Sequence, residues 1–536
     1  MASFQAGLRR AFLQAPKSVL SCRQCLRHQQ HRQQPQKLQG LQPQLQPPQL
    51  LANSRHAFST SARQVASTAS PYLVSSRTNR CFRALSPASS APARSLATAT
   101  ASATDPSAQT ATAEPSSASS SQQTSSFPDT SSKAPAMWLI GSAVSVFGIV
   151  VWGGLTRLTE SGLSITEWKP VTGAMPPRNE EDWEAEFAKY RASPEYARLN
   201  PNMDLDEFKK IYFMEWSHRL WGRFIGMSFV LPALYFVARR RVTKRVAWNL
   251  LGIAGLIGFQ GFIGWWMVAS GLRNELFDDA ASPPRVSQYR LAAHLGTAFI
   301  CYSWMLLTGL GILRDRRARA DPATAAKLAS TLTHPALRRF KISVAALTAL
   351  VFTTVMSGAL VAGLDAGLIY NEFPMMGSGL TPPRKELWDP RFCRKEDHSD
   401  LWWRNMLENP SLVQLDHRIL AMTTFTAIMA LFWYSRRGAG VAALLPRSAK
   451  KGTMGVVHLV LLQATLGIAT LIYMVPTHLA ATHQAGSLAL LTGVLVLGHR
   501  LRMPKSTLRV IEKSLTKTPA AASQHPGLGS RVATKV

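Results

Sequence analysis

Blocks of about 20 apolar residues, separated by short charged connectors, are the feature that most restricts how this chain can fold. An α-helix needs roughly 20 residues to cross a hydrocarbon layer about 30 Å thick. We therefore expect an all-α polytopic membrane protein with eight transmembrane helices. The predicted spans are residues 136–156, 216–238, 246–269, 290–313, 342–363, 414–435, 454–475 and 479–500.

The two ends of the chain have a different composition from the apolar part. Residues 1–104 contain no Asp or Glu and thirteen Arg or Lys. An acid-free amino terminus rich in Arg and Ser is typical of a mitochondrial transit peptide, and its low apolar content argues against a folded core. We expect residues 1–134 to be a transit peptide and disordered segment, and residues 503–536 to be a disordered tail in the matrix.

The net charge of +30 does not indicate nucleic-acid binding, because the excess lies in the amino terminus and in connectors on one side of the helices. Connectors 2–3, 4–5 and 6–7 are rich in Arg and Lys, as in Arg239–Arg241. By the positive-inside tendency, these connectors and both termini face the matrix. The protein is then expected in the mitochondrial inner membrane, with its long connectors 1–2 and 5–6 in the intermembrane space.

An internal repeat relates spans 1–4 to spans 5–8. Three pairs of residues recur at offsets of 199, 203 and 189 residues, namely His218 and His417, Gln260 and Gln463, and His294 and His483. Such near-constant offsets predict two repeated four-helix bundles inserted in the same orientation. The expected halves are residues 135–315 and 341–502, joined by a matrix linker at 316–340.

Four of the thirteen histidines lie near the start of the even-numbered spans: His218, His294, His417 and His483. All even-numbered spans run inward from the outer side, so these side chains are expected at similar depth near the intermembrane-space face. Ionisable residues within a membrane are costly and usually functional. Imidazole binds haem iron, zinc or copper, but zinc would need further ligands nearby. The pattern favours two bis-histidine haem sites over histidines that merely hydrogen-bond a neighbour.

Charged residues beside the histidines differ between the halves. Glu215 lies three residues before His218, on the same helix face, whereas the matching residue is Gln414. Because a carboxyl group can transfer protons, we expect catalysis in the first half and an electron-relay haem in the second. The alternative is that Glu215 forms a structural ion pair with a nearby arginine.

Three arginines near the histidines are candidates for binding haem propionates: Arg219, Arg223 and Arg418. Guanidinium groups bind carboxylates in a bidentate manner. The alternative is that these side chains extend to the membrane interface. The glycine-rich ends of spans 1 and 5, at residues 153–159 and 363–367, predict either cofactor-holding loops or tight helix exits.

Several motifs occurring in order resemble one family, the haem A synthases, in its mitochondrial and proteobacterial branch. The resemblance covers about residues 136–500. The motifs are Glu-Trp-Ser-His-Arg at 215–219, Trp-Met-Val at 266–268, Ser-Gly-Leu at 270–272, Tyr-Arg-Leu-Ala-Ala-His at 289–294, Gly-Leu-Asp-Ala-Gly at 363–367 and His-Gln at 483–484.

The resemblance implies a haem-dependent oxidoreductase that hydroxylates the C8 methyl of haem O twice. Loss of water then gives the formyl group of haem A, which serves cytochrome c oxidase. By similarity, His218 and His294 bracket the haem O substrate, with Glu215 as the catalytic carboxylate. His417 and His483 hold a haem b cofactor. The oxygen comes from molecular oxygen or water, and the electrons come from outside the chain.

The sequence departs from the family pattern at two places. Some bacterial members carry a cysteine pair in the first outer loop, whereas residues 157–215 contain no cysteine. Glu372 stands where an uncharged residue is expected, which leaves that local loop contact open.

An external electron donor is expected, because the sequence has neither a dinucleotide-binding fingerprint nor an iron–sulfur cysteine cluster. A matrix ferredoxin is the expected donor, and the basic matrix connectors suit an acidic partner. Haem O synthase, cytochrome c oxidase assembly factors and membrane lipid are further expected partners, and a homo-oligomer is compatible with the sequence.

Two other functions compete with the enzyme. A transmembrane b-type cytochrome or haem-handling protein explains the histidines but not Glu215. A transporter built on a two-fold repeat would normally show helices broken near mid-membrane, and only the glycine-rich span 3 hints at this.

Overall fold

Eight long helices form the main part of the fold. The computed structural model describes residues 127–273 and 284–516. In chain order, the long helices are α1 Lys133–Leu158, α2 Leu205–Ala238, α3 Lys244–Gly271, α4 Gln288–Ala320, α5 Leu337–Gly363, α6 Pro410–Arg437, α7 Arg447–Ile472 and α8 Thr477–Arg500. All eight are long and apolar enough to cross a membrane. Within the described residues, the only β-pairing is an isolated bridge between Met376 and Gly379. The predicted eight-helix fold is confirmed.

The helices pack as two rings of four. In the first ring, α1 contacts α2 and α4, and α3 contacts α2 and α4. The second ring has the same order, with α5 against α6 and α8, and α7 against α6 and α8. The rings meet where α1 and α4 contact α8 and where α4 contacts α5. Half of the most apolar stretch of α4 is buried, against 17–33% in the other seven helices.

The connector between α1 and α2 has a core of its own. This connector and the one between α5 and α6 are named the outer connectors, after the orientation expected from the sequence. The first of them contains two short helices, Glu180–Arg191 and Pro194–Leu199. Trp183, Phe187 and Tyr190 pack there against Phe208 and Tyr212 at the start of α2. This aromatic cluster explains why α2 begins at Leu205, eleven residues before the predicted span: the additional turns are stabilised by burial outside the apolar block.

The outer connector between α5 and α6 holds a short α-helix on each side of a 3₁₀ turn, namely Arg384–Leu387, Pro390–Phe392 and Leu401–Glu408, and a 3₁₀ turn at Ala366–Leu368 follows α5. Pro410 opens α6 at a position where a missing N–H costs nothing, and Asn409 accepts a hydrogen bond from the backbone N–H of Ser411. The connector therefore fixes the residue at which α6 begins, and with it the position of His417.

Helices also form at the basic end of the bundle. Pro322–Thr333 lies in the expected linker, Val441–Leu444 in connector 6–7, and Lys505–Thr516 after α8. The expectation that residues 503–536 are disordered is wrong for Lys505–Thr516. Ile511 is buried beside Ala318 and Ala329, because the apolar residues of this amphipathic segment share one face.

Some expectations lie outside the described residues. These are the transit peptide up to residue 126 and the tail after residue 516. Residues 127–132 are described and contact the basic end of the bundle. The backbone N–H of Ser132 donates to the carbonyl of Arg241, 2.9 Å away.

Candidate functional site

In the first ring, each candidate histidine lies against a glycine of a neighbouring helix. His218 on α2 faces Gly153 on α1, where an added methyl group would lie 2.8 Å from the histidine Cε1. His294 on α4 faces Gly264 on α3, with a corresponding distance of 3.3 Å. The missing side chains let each imidazole lie against the adjacent helix backbone. The neighbouring helix therefore restricts the orientation of each ring.

The second ring repeats this arrangement. His417 on α6 faces Gly358 on α5, and His483 on α8 faces Gly467 on α7. Added methyl groups at these glycines would lie 3.0 and 2.8 Å from the histidine Cε1 atoms. The glycines recur at offsets of 205 and 203 residues between the halves. All four histidines thus share one local structure.

The Nδ1 atoms of the four histidines differ in their partners. Nδ1 is fully buried without a hydrogen-bond partner among the described residues in His218, His294 and His483. Nδ1 of His417 lies 2.8 Å from the hydroxyl of Ser357. All four side chains are half-buried. Three of the four imidazoles therefore have a buried nitrogen that no described protein group satisfies.

The histidines interact in pairs within each ring. His218 and His294 are close enough to influence one another electrostatically, as are His417 and His483. Within residues 127–273 and 284–516, no group of three or more His, Cys, Asp or Glu is placed to hold a metal ion. Two half-buried imidazoles per ring, each lying against a glycine of a neighbouring helix, are the donor set of a bis-histidine haem site. They do not fit a zinc site, which takes four ligands.

A glutamine on the preceding helix supports the last histidine of each ring. Gln260 Nε2 donates to the backbone carbonyl of His294 at 3.1 Å and to the hydroxyl of Thr297 at 2.9 Å. Gln463 Nε2 donates to the backbone carbonyl of His483 at 2.9 Å. These matched bonds tie α3 to α4 and α7 to α8 beside the histidines.

Glu215 is buried, with 3% of its surface exposed, and both of its carboxylate oxygens accept hydrogen bonds. Arg219 Nη2 donates to Oε1 at 2.6 Å. Oε2 accepts from the hydroxyl of Ser164 at 2.7 Å and from the backbone N–H of Ile165 at 2.8 Å. The ion pair considered from the sequence is therefore present, and Glu215 holds the start of the first outer connector against α2.

Gln414 occupies the matching position, but it donates a hydrogen bond to its connector, whereas Glu215 accepts hydrogen bonds from its own. Its Nε2 donates to the backbone carbonyl of Tyr370 at 3.1 Å, and its Oε1 is buried without a partner within the described residues. Each ring thus uses this position to hold an outer connector. Only the first ring places an ionisable group there.

The three candidate arginines donate to backbone carbonyls of the outer connectors. The acceptors are Ile165 and Glu167 for Arg219, Lys169 and Pro170 for Arg223, and Tyr370, Glu372 and Met375 for Arg418. Nη1 of Arg223 and Nε of Arg418 are buried without a partner in the described part of the chain. All three arginines therefore bind loops, and Arg223 and Arg418 each keep a buried donor.

The glycine-rich segments form tight helix exits. Glu160 after α1 has φ 52°, and Asp365 after α5 has φ 51°, so both turns use the left-handed region. Asp365 also pairs with Arg157 at 2.9 Å and with Arg285 at 2.9 Å. One carboxylate thus joins α5 to two segments of the first ring.

Gln484 connects the two rings at the depth of the histidines. It follows His483 on α8, and its Nε2 donates to the backbone carbonyl of Val150 on α1 at 2.8 Å. Its amide also lies against Gly154, where a β-carbon would overlap Oε1. Since Gly153 contacts His218, adjacent glycines of α1 touch both sites. The sequence motif at 483–484 did not indicate this contact.

Comparison with known proteins places this arrangement in a family. The model of the COX15-CtaA family, described as cytochrome oxidase assembly protein, matches residues 136–495. The chain belongs to this family. The matched region contains all eight long helices except the ends of α1 and α8. The family recognised from the sequence motifs is thereby confirmed.

Members of the COX15-CtaA family with assigned names are closely similar to this chain. "Heme A synthase COX15" of Saccharomyces cerevisiae is 54% identical over 379 residues, which is 71% of this chain and 77% of the relative. "Heme A synthase COX15" of Homo sapiens is 45% identical over 376 residues, 70% of this chain and 84% of the relative. A "Heme A synthase-mitochondrial ferredoxin fusion protein" of Schizosaccharomyces pombe is 51% identical over 390 residues, 72% of this chain and 62% of the relative.

Proposed function

We propose that this chain is a haem A synthase, an oxidoreductase that converts the C8 methyl of haem O to the formyl group of haem A. The observation that carries the proposal is the asymmetry of two otherwise matched histidine sites: a buried carboxyl, Glu215, beside one and an amide, Gln414, beside the other. The family relatives named heme A synthase support the same activity.

In this proposal His218 and His294 hold the substrate haem O, and His417 and His483 hold a haem b cofactor. The matched glycine contacts of the four histidines support two haem sites, and the asymmetry between Glu215 and Gln414 is the reason for assigning the substrate to the first ring. When bound, haem b supplies electron transfer between an external donor and the first ring. Separate rings allow one haem to be released as product while the other stays bound.

Glu215 acts in the first ring as the group that moves protons. Its position one helix turn from His218 places it beside the substrate site. Arg219, Ser164 and Ile165 hold the carboxylate in one orientation. A carboxylate fixed in this way serves general acid–base chemistry better than a mobile one. Oxygen, from molecular oxygen or water, enters the methyl group at this site.

The arginines have a second proposed role toward the haem propionates. Arg223 and Arg418 are the stronger candidates, because each has a buried donor without a partner among the described residues. Arg219 already binds Glu215 and two loop carbonyls, so a propionate there would share an occupied guanidinium. This supports Arg219 chiefly as a residue that orients Glu215.

The proposed location is the mitochondrial inner membrane, with the histidines near the intermembrane-space side and both ends of the chain in the matrix. Eight spanning helices make this a multi-pass membrane protein. The exposed arginines between α2 and α3 support a matrix-facing connector by the positive-inside tendency.

A ferredoxin-type protein is the proposed electron donor, and the fusion relative of Schizosaccharomyces pombe supports this class. We expect charge reversal of Arg239, Arg240 and Arg241 to glutamate to slow reduction by ferredoxin about tenfold at low salt, because attraction to an acidic partner is lost. Stopped-flow absorbance of the bound haem measures the rate. Haem O synthase and cytochrome c oxidase assembly factors are further proposed partners, as is a second copy of this chain.

A matched control separates docking from general charge effects. Arg384, Lys385 and Lys395 are exposed on the outer connector before α6. Their reversal to glutamate changes the net charge equally and should leave ferredoxin reduction unchanged. Reduction by a small chemical reductant should be unaffected in both triple variants. Equal slowing by the two triple variants would contradict matrix-side docking.

Identification of the haems tests the activity itself. Purified full-length protein is supplied with haem O, ferredoxin and oxygen, and the haems are then extracted and identified by chromatography and mass. We expect haem b together with newly formed haem A. Only haem b in two sites, with no oxidised product, would instead favour an electron-transferring b-type cytochrome.

A further inference from the structure

Basic side chains from α3, α4 and the end of α8 meet at the basic end of the bundle, outside the sites described so far. Arg314 on α4 is half-buried, with 19% of its side chain exposed. Arg245 on α3 and Arg502 after α8 are exposed, and both repel Arg314 electrostatically. Like charges at close range are unfavourable unless an opposite charge lies nearby. The cluster therefore has the charge of a site for an anion.

Hydrogen bonds hold the cluster together. Arg314 Nη1 donates to the backbone carbonyl of Arg502 at 3.2 Å, and the backbone N–H of Arg502 donates to the carbonyl of His499 at 3.4 Å. Arg245 Nη1 donates to the hydroxyl of Ser506, in the helix Lys505–Thr516, at 2.7 Å. These contacts bring α3, α4 and the end of α8 to one place.

Asp315 is the carboxylate beside Arg314. Its Oδ1 accepts from the hydroxyl of Thr507 at 2.5 Å and lies 3.9 Å from Arg314 Nε. The second distance is too long for a hydrogen bond. Asp315 therefore offsets part of the positive charge and leaves the Nε–H of Arg314 without an acceptor.

Two buried nitrogen atoms of the cluster have no hydrogen-bond partner among the described residues, namely Arg314 Nε and His499 Nε2. An arginine Nε always carries a hydrogen, and a histidine Nε2 can carry one. A buried donor without an acceptor is costly. Both nitrogens therefore call for an acceptor that the described part of the chain does not supply.

Other arginines at the same end of α4 bind the chain itself. Arg319 Nη1 donates to the hydroxyl of Thr130 at 2.7 Å, and Arg316 Nη1 donates to the carbonyl of Ser131 at 3.4 Å. Neither has a buried nitrogen without a partner among the described residues. A basic helix end therefore does not by itself produce the unsatisfied donors of the cluster.

The surface of α3 beside Arg245 is apolar and exposed. Trp248 and Leu251 follow Arg245 at three-residue intervals, which places them on neighbouring turns, and they are 64% and 61% exposed. Since α3 is long and apolar enough to span a membrane, such side chains suit lipid acyl chains. A phospholipid lying along α3 would have its phosphate at the level of Arg245.

We propose that this cluster, named the Arg314 site, binds the phosphate of an anionic phospholipid. Arg314 Nε and His499 Nε2 donate to phosphate oxygens, Arg245 and Arg502 supply further positive charge, and Trp248 contacts an acyl chain. Guanidinium groups suit the geometry of phosphate, and basic pockets between membrane helices bind anionic headgroups. The proposal does not depend on haem chemistry and goes beyond the proposed function.

Native mass spectrometry of the purified full-length protein in a neutral detergent measures the binding. Dioleoylphosphatidylglycerol and dioleoylphosphatidylcholine are titrated separately, because they share acyl chains and a phosphate but only the first has a net charge. We expect wild type to bind the anionic lipid at one saturable site, about tenfold more tightly than the neutral lipid. Equal affinity for the two lipids would overturn the proposal.

Substitutions locate the binding on the protein. Arg245→Gln combined with Arg314→Gln should weaken binding of phosphatidylglycerol about tenfold or more, because two charges near the membrane surface are lost. Arg384→Gln combined with Lys385→Gln removes two charges from the second outer connector and should leave the affinity unchanged. His499→Phe removes the Nε2 donor and should weaken binding about threefold or more. Equal losses in the two double variants would overturn the location.

Thermal denaturation distinguishes a lipid from a free anion. Phosphatidylglycerol should stabilise wild type, and inorganic phosphate at the same concentration should not, because it lacks the acyl chain. Stabilisation by inorganic phosphate without stabilisation by the lipid would overturn a phospholipid site. If the double variant at the site does not fold, Arg314→Lys keeps the charge but removes the Nε donor. It should bind the lipid more weakly than wild type, and unchanged affinity would overturn the role of Arg314.

Discussion

Replacement of Glu215 by glutamine is expected to lower the rate of haem A formation by about 100-fold or more while both haems remain bound. Glutamine can still accept from the backbone N–H of Ile165, so the loop contact is largely retained. The ionisable group is lost, and the first ring becomes chemically similar to the second. Haem O or its hydroxymethyl derivative should therefore accumulate.

Extraction of haems from wild type and Glu215→Gln measures this effect, and the absorbance of the purified protein reports occupancy. Gln414→Glu is the matched variant in the second ring, where it should leave the rate of the first ring within a few-fold of wild type. If Glu215→Gln forms haem A at the wild-type rate, Glu215 is only the structural partner of Arg219.

Substitution of the glycines that face the histidines should weaken haem binding in one ring at a time. Gly153→Ala places a methyl group 2.8 Å from His218, and Gly467→Ala places one equally near His483. Real β-carbons do not approach so closely, so the imidazole must move away from the neighbouring helix. Overpacking of this kind costs roughly 1–3 kcal/mol, which corresponds to about a 5- to 150-fold loss of haem affinity.

Each glycine has a control on the same helix. Gly141 on α1 and Gly455 on α7 have no atom within 4 Å of an added methyl group. Alanine at these positions should leave haem content unchanged and even favour the helix slightly. Gly153→Ala should reduce retention of the substrate haem, and Gly467→Ala that of haem b. Equal losses in all four variants, measured by haem extraction, would contradict separate sites.

The eight helices could be predicted because apolar blocks long enough to cross a membrane admit few other folds. The ends of the helices could not be predicted. The apolar pattern marks only the part of a helix that contacts lipid, whereas α2 begins eleven residues earlier because aromatic contacts in the outer connector stabilise its first turns. The helix Lys505–Thr516 was missed for a related reason. Its sequence is largely charged, and its apolar face is stabilised by packing against Ala318 and Ala329 in the folded protein.

The histidines could be predicted from their matched positions, since burial of four imidazoles at one depth is costly without a function. Their glycine neighbours could also have been found, because these recur at offsets close to those of the histidines. The loop contacts of Arg219, Arg223 and Arg418 could not be predicted, because a guanidinium donates hydrogen bonds to propionates and to backbone carbonyls alike.

The matched glycine–histidine contacts give the protein an internal reference. Membrane thickness, temperature and detergent act on both rings through the same local geometry, so their effects on the two sites should rise and fall together. A property that differs between the sites then reports on what is not shared, namely Glu215 against Gln414 and the contact of His417 with Ser357. Spectra that resolve the two haems can therefore separate chemistry from environment within a single molecule, without comparison to a second protein.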